Sequence, residues 1–474
     1  MEPLALLPEI CLLVGALAAL IGGSFLPRQR QWVVRLVAVA ALLAAVSTAA
    51  IAGLSGIGDP TRTVFAGTYA MDTATMVARF VVPAATLLVI GLGVDELADD
   101  RQESETYALL LLSALGAVVL AGASDLLVLA VGFLLASIPL YGLVGMARTP
   151  LAAEAAMKTY LLGALFGITL LLGVTVLYGV AGGTAYSELA AALGSAPSAA
   201  VAVGVVAVLG GLMFKAGGVP AHFWVPDAAQ GARVSAAAFV TTVPKVGALV
   251  AAYRLVDALP GTVDTRLLVG LLAVASMTLG NLAAYAQTDP RRLLGWSTVS
   301  QVGYLLVPVA VAGRSDLALP SLLVYLAAYA VTNLAAFSVV AALPDRRTLA
   351  AYRGLAGSRP WLAGALLVSL LGLVGTPPTA VFVGKLTTAT AAWDGGSAWL
   401  AVAVVVNTLA SLFYYLRWVF PAYRPGEPVE RSATGAFAPR PWAAGAAVVA
   451  AVASVVLGLG AGLAWEIATG PLVR

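Results

Sequence analysis

Long apolar segments separated by short polar ones run along the whole chain. A helix that crosses a membrane needs about 20 mainly apolar residues, and fourteen segments of this sequence meet that requirement. They lie roughly at 4–26, 31–54, 76–94, 106–122, 125–147, 158–180, 199–217, 234–256, 266–286, 293–313, 319–342, 360–376, 397–420 and 441–464. The pattern predicts an all-α polytopic membrane protein with about 14 transmembrane helices. The short connections leave no room for a soluble catalytic domain.

Composition supports this class and excludes several functions. The 474 residues are 61% hydrophobic and only 10% charged, which is too apolar for a soluble protein of this length. Cys11 is the single cysteine, so the chain alone holds no disulfide and no iron–sulfur cluster, which needs about four thiolates. There is no P-loop and no strand-associated GxGxxG motif. We therefore expect no cofactor or metal in this chain, and no nucleic acid as a partner.

The basic residues are distributed unevenly between the two sides of the predicted membrane protein. When loops are assigned alternately, sixteen Arg or Lys residues fall on one side and five on the other. Loops rich in Arg and Lys stay in the cytoplasm. This asymmetry predicts that both termini lie on the non-cytoplasmic side.

Only four of the 26 basic residues are lysines, and all four lie in or beside apolar segments: Lys158, Lys215, Lys245 and Lys385. Arginine does not deprotonate in proteins, whereas a desolvated lysine can do so. A group that gains and loses a proton inside a membrane can therefore be lysine. Ionisable residues within spans point to ion or proton pathways, so these lysines are candidates for a proton relay.

Each lysine also has a structural interpretation. Lys158 follows Glu154 by four residues, a spacing that favours a helical ion pair, and it lies near a predicted helix end. Lys245 lies near the middle of its span, too deep to reach the surface easily. Lys215 and Lys385 lie beside predicted helix breaks, where a lysine can simply cap exposed carbonyl groups.

Two spans contain proline-rich interruptions. Pro220, after Gly217 and Gly218, interrupts the seventh span, and Pro377–Pro378 interrupts the twelfth. Interrupted spans at corresponding places in two halves mark transport sites. The interval of five spans suggests two five-helix repeats. We expect N-terminal helices 1–3 at 1–105, a first repeat at 106–260, a second repeat at 261–424 and helix 14 at 425–474.

His222, the only histidine, follows the first break in PAHFWVPD. A lone histidine beside aromatic residues is often a hydrogen-bonded structural residue. Its titration near neutral pH and its place between Lys215 and Lys245 in the sequence favour a role in the relay. Metal binding is not expected, because no second His or available Cys helps it.

The motifs around these residues resemble one family. FKAGGVPAHFWVPDAAQG, which begins at Phe214, and TTVPKVGAL, which begins at Thr241, are similar to the antiporter-like subunits of proton-pumping NADH:quinone oxidoreductase, respiratory complex I. Further matching stretches follow in family order from about residue 125 to 390: SIPLYGL, EAAMKTYLLGAL, RRLLGWSTVSQVGY, YLAAYAVTNLAAF and GTPPTAVFVGK. The PDAAQG and VPK elements look most like the N-type subunit.

The resemblance implies fourteen helices with two inverted five-helix repeats and broken helices 7 and 12. It implies that Lys215 is a modulated proton acceptor, Lys245 a central relay and Lys385 an outlet-side donor. NADH, FMN, iron–sulfur clusters and quinone would be bound by partner subunits. The partners of this chain would be other membrane subunits, the lipid bilayer and protons, in a bacterial inner membrane.

The sequence also departs from the family. Relatives carry a glutamate in helix five, three residues before the serine of the SIPLY stretch, and it pairs with the helix-seven lysine. That position is Leu134 here. Many relatives have histidine where this chain has Gln301, which hydrogen-bonds but does not titrate. Asp72 and Asp227 are candidates for a replacement carboxylate.

Three hypotheses remain open at the level of sequence. The first is a proton-translocating subunit of a redox-driven NADH:quinone oxidoreductase, with no redox centre in this chain. The second is a subunit of a multisubunit cation/proton antiporter, which shares the fold and most of the lysines. The third is a divergent paralogue with weakened or no pumping.

Overall fold

The computed structural model describes residues 3–54, 62–98, 100–261, 263–425 and 439–473, which are almost entirely helical. Three single-turn 3-10 segments occur at Pro3–Leu6, Arg28–Arg30 and Leu349–Tyr352. Strands β1 (Arg62–Val64) and β2 (Tyr69–Met71) pair as one antiparallel hairpin. The helices are α1 (Leu7–Phe25), α2 (Trp32–Leu54), α3 (Thr73–Leu97), α4 (Glu103–Gly122), α5 (Leu126–Gly145), α6 (Pro150–Ala181), α7 (Tyr186–Ala192), α8 (Ser198–Ala216), α9 (Trp224–Gly231), α10 (Val234–Ala258), α11 (Arg266–Tyr285), α12 (Pro290–Ala310), α13 (Ala318–Ala342), α14 (Leu355–Ser358), α15 (Pro360–Val374), α16 (Ala380–Asp394), α17 (Ala398–Tyr423), α18 (Pro441–Leu459) and α19 (Ala461–Ala468).

The predicted number of spans is confirmed. Among the described residues, 13 helical stretches are long and apolar enough to cross a membrane, and they match every predicted span except the twelfth. The twelfth is the shorter apolar helix α15, which α16 follows after a break. The predicted fourteenth span is divided at Gly460 between α18 and α19.

Helix α10 forms the centre of the molecule. Every residue from Val234 to Leu255 is buried, and α3, α4, α12 and α13 pack around this helix. Small residues permit this close approach, because a Cβ on Gly247 would lie only 2.2 Å from the carbonyl oxygen of Ala117 in α4. By contrast, α1, α2, α6 and α18 expose large apolar side chains along one side, as expected for helices that face lipid.

Two sets of five spans pack in the same way. In the first set α4 contacts α5 and α10, and in the second α11 contacts α12 and α17. Likewise, α6 packs on α8 and α9, and α13 packs on α15 and α16. A set of five spans is odd in number, so the second set begins on the opposite side of the membrane from the first. The two repeats are therefore inverted.

Both predicted helix breaks are confirmed, and both are built alike. Helix α8 ends at Gly217 (φ +83), and the N–H groups of Gly217 and Gly218 both donate to the Met213 carbonyl. Helix α15 ends at Gly375 (φ +92), and the N–H groups of Gly375 and Thr376 both donate to Leu371. This left-handed termination suits glycine because a Cβ there would be strained. The N–H groups at each break pair with some carbonyl groups of the last helical turn, and the other carbonyl groups of that turn remain available as hydrogen-bond acceptors.

Ion pairs that the sequence did not reveal join the first three spans to one another and to the repeats. Arg79 of α3 donates to Glu9 of α1 at 2.8 Å, and Arg35 of α2 to Glu103 of α4 at 2.7 Å. Arg254 of α10 pairs with Asp72, which caps α3. Forming an ion pair inside a membrane protein costs desolvation free energy. Removing one partner costs more, because it leaves an unpaired buried charge. These ion pairs therefore define how these helices sit together.

Some elements were not predicted from the sequence. These are the β1–β2 hairpin and the short helices α7 and α14. Their apolar runs are too short to produce a clear signal of period or length. The expected start of the last segment, at residue 425, borders residues 426–438, which lie outside the described part of the chain.

The contact between α4 and α5 supplies a test of the fold. A Cβ on Gly116 would lie 2.2 Å from the backbone nitrogen of Ala136, whereas a Cβ on Gly91 in α3 would meet nothing within 4 Å. Forcing an extra methyl group into such a tight contact lowers the free energy of unfolding by about 1–3 kcal/mol. We expect Gly116→Ala to lower the thermal stability of the assembled protein, measured by a fluorescence-detected melting curve. Gly91→Ala is the matched control; equal melting temperatures for the two variants would contradict this packing.

Candidate functional site

Lys215 and Lys245 meet at the first helix break. Lys215 is the last but one residue of α8, and Lys245 lies in the middle of α10; their residues are 2% and 0% exposed. The Nζ atom of Lys245 is only 3.4 Å from the position that a Cβ on Gly217 would occupy. The glycine that ends α8 therefore also leaves space for the ammonium group from α10. The structure brings these two predicted residues together.

Aromatic rings, rather than carboxylates, face the two ammonium groups. Lys215 Nζ lies 5.3 Å from the ring centroid of Phe133, and Lys245 Nζ lies 5.0 Å from that of Trp224. Lys245 Nζ has no hydrogen-bond partner among the described residues. A desolvated cation–π contact contributes about 2 kcal/mol, while burying an ion costs several kcal/mol. The rings offset only part of the cost of charge at this site.

The aromatic ring that faces Lys215 belongs to Phe133 of α5. Leu134 is 39% exposed, so its side chain lies on an outer side of α5, whereas Phe133 is 1% exposed and contacts Lys215. Successive helical residues are about 100° apart around the axis, so Phe133 and Leu134 lie on different faces of α5. The side chain opposite Lys215 is therefore Phe133.

The carboxylates considered as replacements are bound elsewhere. Asp72 accepts hydrogen bonds from Arg254 and from the N–H groups of Thr75 and Val473. Asp227 of α9 accepts from Lys158 Nζ at 2.7 Å and from Arg292 Nη1 at 2.6 Å. Neither carboxylate is hydrogen-bonded or ion-paired to Lys215 in the described residues. Helix α5 itself carries no Asp or Glu.

Lys158 lies apart from the buried lysines. Its side chain is 44% exposed, and its Nζ atom is 2.6 Å from Glu154 and 2.7 Å from Asp227. The helical ion pair that the spacing predicts is present. Because Asp227 also holds Arg292 from α12, Lys158 belongs to a charge cluster that joins the two repeats at the surface.

His222 lies in the segment between α8 and α9 and is 2% exposed. Its ring centroid is 4.3 Å from that of Phe223 and 5.5 Å from that of Trp296. Neither ring nitrogen has a hydrogen-bond partner in the part of the chain that the structure describes. The His222 ring thus packs between the aromatic rings of Phe223 and Trp296.

Lys385 lies at the second helix break, where its ammonium group contacts backbone carbonyl groups. Its Nζ atom donates to the carbonyl oxygens of Leu373 at 3.2 Å and Val374 at 2.9 Å, the last two residues of α15. It also lies 4.0 Å from the ring centroid of Tyr304. A cation at a helix C-terminus is favoured by the helix dipole. Lys385 therefore caps exposed carbonyl groups, as one of the sequence interpretations allowed.

A first buried polar cluster lies beside Lys245. The Tyr329 hydroxyl donates to the carbonyl oxygen of Thr241 at 2.7 Å and to Thr298 Oγ1 at 3.1 Å. Asn333 Nδ2 donates to the hydroxyls of Thr241 and Thr242 at 3.2 and 2.9 Å. Thr241 precedes Lys245 by four residues, one helical turn, so this cluster and the ammonium group share a face of α10.

A second polar cluster lies beside Lys385. Gln301 Nε2 donates at 2.8 Å to the same Leu373 carbonyl that Lys385 contacts, and the Tyr325 hydroxyl donates to Gln301 Oε1 at 2.6 Å. Gln301 follows Thr298 of the first cluster by three residues on α12, which places the two on neighbouring positions of one face. Polar groups of α10, α12 and α13 thus extend from one lysine towards the other.

Sequence analysis missed this polar row, although a signal existed. Tyr325, Tyr329 and Asn333 recur every four residues within an apolar span, the spacing of a single helix face. Among the described residues there is no group of three His, Cys, Asp or Glu that could hold a metal ion.

Comparison with known proteins places these features in a family. Residues 123–411 match the model described as NADH:quinone oxidoreductase/Mrp antiporter, TM. The chain is 60% identical over 469 residues to NADH-quinone oxidoreductase subunit N of Mycobacterium sp. (strain JLS), covering 99% of each chain. It is 54% identical to NADH-quinone oxidoreductase subunit N 1 of Streptomyces griseus, covering 98% of this chain and 97% of the relative.

Solved structures agree with this assignment. A chain of respiratory complex I from Thermus thermophilus with bound aureothin is 31% identical and superimposes with a TM-score of 0.82, over 98% of this chain and 100% of that one. A chain of the Mrp complex from Dietzia sp. DQ12-45-1b is 24% identical with a TM-score of 0.85, over 99% and 96% of the two chains, and shares the fold. The chain belongs to the NADH:quinone oxidoreductase/Mrp antiporter transmembrane family.

Proposed function

We propose that this chain is a non-redox, proton-translocating membrane subunit of an NADH:quinone oxidoreductase complex, of the subunit N type. The observation that carries the proposal is the placement of three buried lysines at two helix breaks, with buried hydroxyl and amide groups between them. The names of the relatives at 60% and 54% identity favour this function over a cation/proton antiporter. Redox energy would be released in partner subunits that hold NADH, FMN, iron–sulfur clusters and quinone.

In the proposed path, a proton moves between Lys215 and Lys245 at the first break. The polar row of α10, α12 and α13 then carries it towards Lys385. Lys245 is suited to exchange because its ammonium group has no hydrogen-bond acceptor among the described residues. His222, which is equally unpartnered beside the same break, is a lower-ranked candidate for delivering protons. Lys158, in its surface charge cluster, is a lower-ranked candidate for entry.

We also propose an orientation. One end of the molecule carries a cluster of arginines around the α9–α10 junction, with Arg233, Arg291, Arg346 and Arg347 among them. Basic loops favour the cytoplasmic side. This face would be cytoplasmic, and both termini would lie on the opposite side of a bacterial inner membrane.

The role of Lys245 can be tested with two substitutions. Lys245→Met removes the charge, and Lys245→Arg retains a charge that does not deprotonate. A proton carrier is lost in both variants, so we expect both to lose most proton translocation per NADH oxidised. The measurement is fluorescence quenching of a pH-sensitive dye in vesicles that contain the assembled complex, with quinone reduction as the reference. Normal pumping by Lys245→Arg would instead indicate a fixed charge.

A carboxylate can be introduced at the residue whose ring faces Lys215. Phe133→Glu would place a carboxylate beside Lys215, where the ring now lies 5.3 Å from Nζ. An adjacent anion favours the charged lysine and could be modulated. We expect more protons translocated per NADH than in the unmodified complex. Leu134→Glu is the matched control, because its side chain lies on an outer side of α5; an equal gain from both variants would refute this geometry.

The polar row can be tested without changing side-chain volume appreciably. Tyr329→Phe removes the hydroxyl that donates to Thr241 and Thr298. Because this hydroxyl lies between the two lysine centres, we expect slower proton translocation at an unchanged amount of assembled complex. Tyr352→Phe is the control, since the buried Tyr352 hydroxyl has no partner among the described residues. If the two variants pump equally fast, the path does not run through α13.

A further inference from the structure

A separate cleft of about 680 Å³ opens where α9 ends and α10 begins, next to the start of α12 and the end of α13. It is distinct from the lysine centres, none of which lines it. Five arginines line the cleft, and they come from four different parts of the chain: Arg233, Arg291, Arg346, Arg347 and Arg440. Five guanidinium groups therefore surround a single cleft.

The carboxylates of the cleft are already bound. Glu96 accepts hydrogen bonds from the N–H groups of Val234 and Ser235 and from the Ser235 hydroxyl. Asp100 accepts from Arg233 Nη2 at 2.7 Å. Asp289 accepts from the first N–H groups of α12, at 2.8 and 3.0 Å. Three carboxylates and five guanidinium groups line the cleft, so its net charge is positive.

Two guanidinium groups of the cleft retain unused donors. The Nη1 atoms of Arg233 and Arg346 are buried and have no hydrogen-bond partner in the described part of the chain. Leaving a buried donor unsatisfied costs about 1–3 kcal/mol. Arg346 lies in the loop after α13, outside the membrane-spanning helices, and burial lowers the pKa of its guanidinium group. Both groups would be stabilised by an anion that accepts hydrogen bonds.

Arg291 connects two elements in the wall of the cleft. Its Nε atom donates to the Ala229 carbonyl at 2.9 Å, and its Nη2 atom donates to the Ala232 carbonyl. These contacts clamp the end of α9 to the start of α12. A ligand in the cleft would therefore meet a wall whose backbone is already held in place.

We infer that this cleft binds a phosphate group, held by the guanidinium groups of Arg233 and Arg346. A phosphate offers several strong acceptor oxygens, and guanidinium groups match its geometry with paired hydrogen bonds. The phosphate belongs either to free inorganic phosphate or to the headgroup of an anionic phospholipid. This inference does not depend on the proposed proton path, because no residue of that path lines the cleft.

The test uses the assembled complex with Arg346→Gln and, as the matched control, Arg314→Gln. Arg314 follows the opposite end of α12, where it lies 3.6 Å from Asp264. One arm counts radiolabelled inorganic phosphate bound at equilibrium dialysis, and the other counts phosphatidylglycerol retained after detergent washing. We expect Arg346→Gln to lose one bound phosphate group per chain in one arm, while the control loses none. The arm in which the loss occurs identifies the source; unchanged counts in both arms overturn the inference.

A second measurement covers the case in which Arg346→Gln does not assemble. The unmodified complex is treated with phenylglyoxal, which modifies arginine, and the modified peptides are quantified by mass spectrometry. We expect inorganic phosphate or phosphatidylglycerol vesicles to slow modification of Arg346 but not of Arg314. Equal rates at Arg346 with and without both ligands would also overturn the inference.

Discussion

Polar groups that are shielded from water need hydrogen-bond partners within the protein, and this constraint determines how the centre of the protein is arranged. Ending a helix inside a membrane leaves carbonyl groups without partners, and an ammonium group there lacks its hydration shell. At both helix breaks, the unpaired carbonyl groups and a desolvated ammonium group lie next to each other. Lys385 donates to the last carbonyl groups of α15, and Lys245 reaches the glycine that ends α8. Glycine in the left-handed conformation makes this approach possible, because no Cβ stands between the chain end and the ammonium group.

The two breaks are alike in backbone but differ in their lysines. Lys385 has fixed acceptors, so moving its proton would disturb contacts that stabilise the end of α15. Lys245 Nζ lies against the Trp224 ring and has no hydrogen-bond partner among the described residues, so its charge state can change without breaking a hydrogen bond of the described structure. In the proposed path, the protonation state therefore changes readily at Lys245 in the first break, whereas Lys385 in the second break keeps its contacts.

The absence of a carboxylate beside Lys215 has a structural counterpart. Phe133 occupies the space opposite the ammonium group and also packs against Phe214, with ring centroids 6.4 Å apart. The carboxylates that could have substituted are engaged in other ion pairs, Asp72 with Arg254 and Asp227 with Lys158 and Arg292. These pairs connect distant helices, and removing Arg254 would leave Asp72 as a costly buried charge.

The sequence by itself determined the spans, the two breaks and the lysines beside them, because hydrophobic length, Gly–Pro interruptions and rare charges are local signals. The spacing of Tyr325, Tyr329 and Asn333 also marked a polar face. Only the tertiary structure decided that Phe133 rather than Leu134 faces Lys215, that Lys385 caps α15, and that Asp72 pairs with Arg254, 182 residues away. These outcomes depend on the rotation of each helix about its axis and on which distant helix lies beside it. Neither is encoded in a local pattern, since both result from packing all the helices together at once.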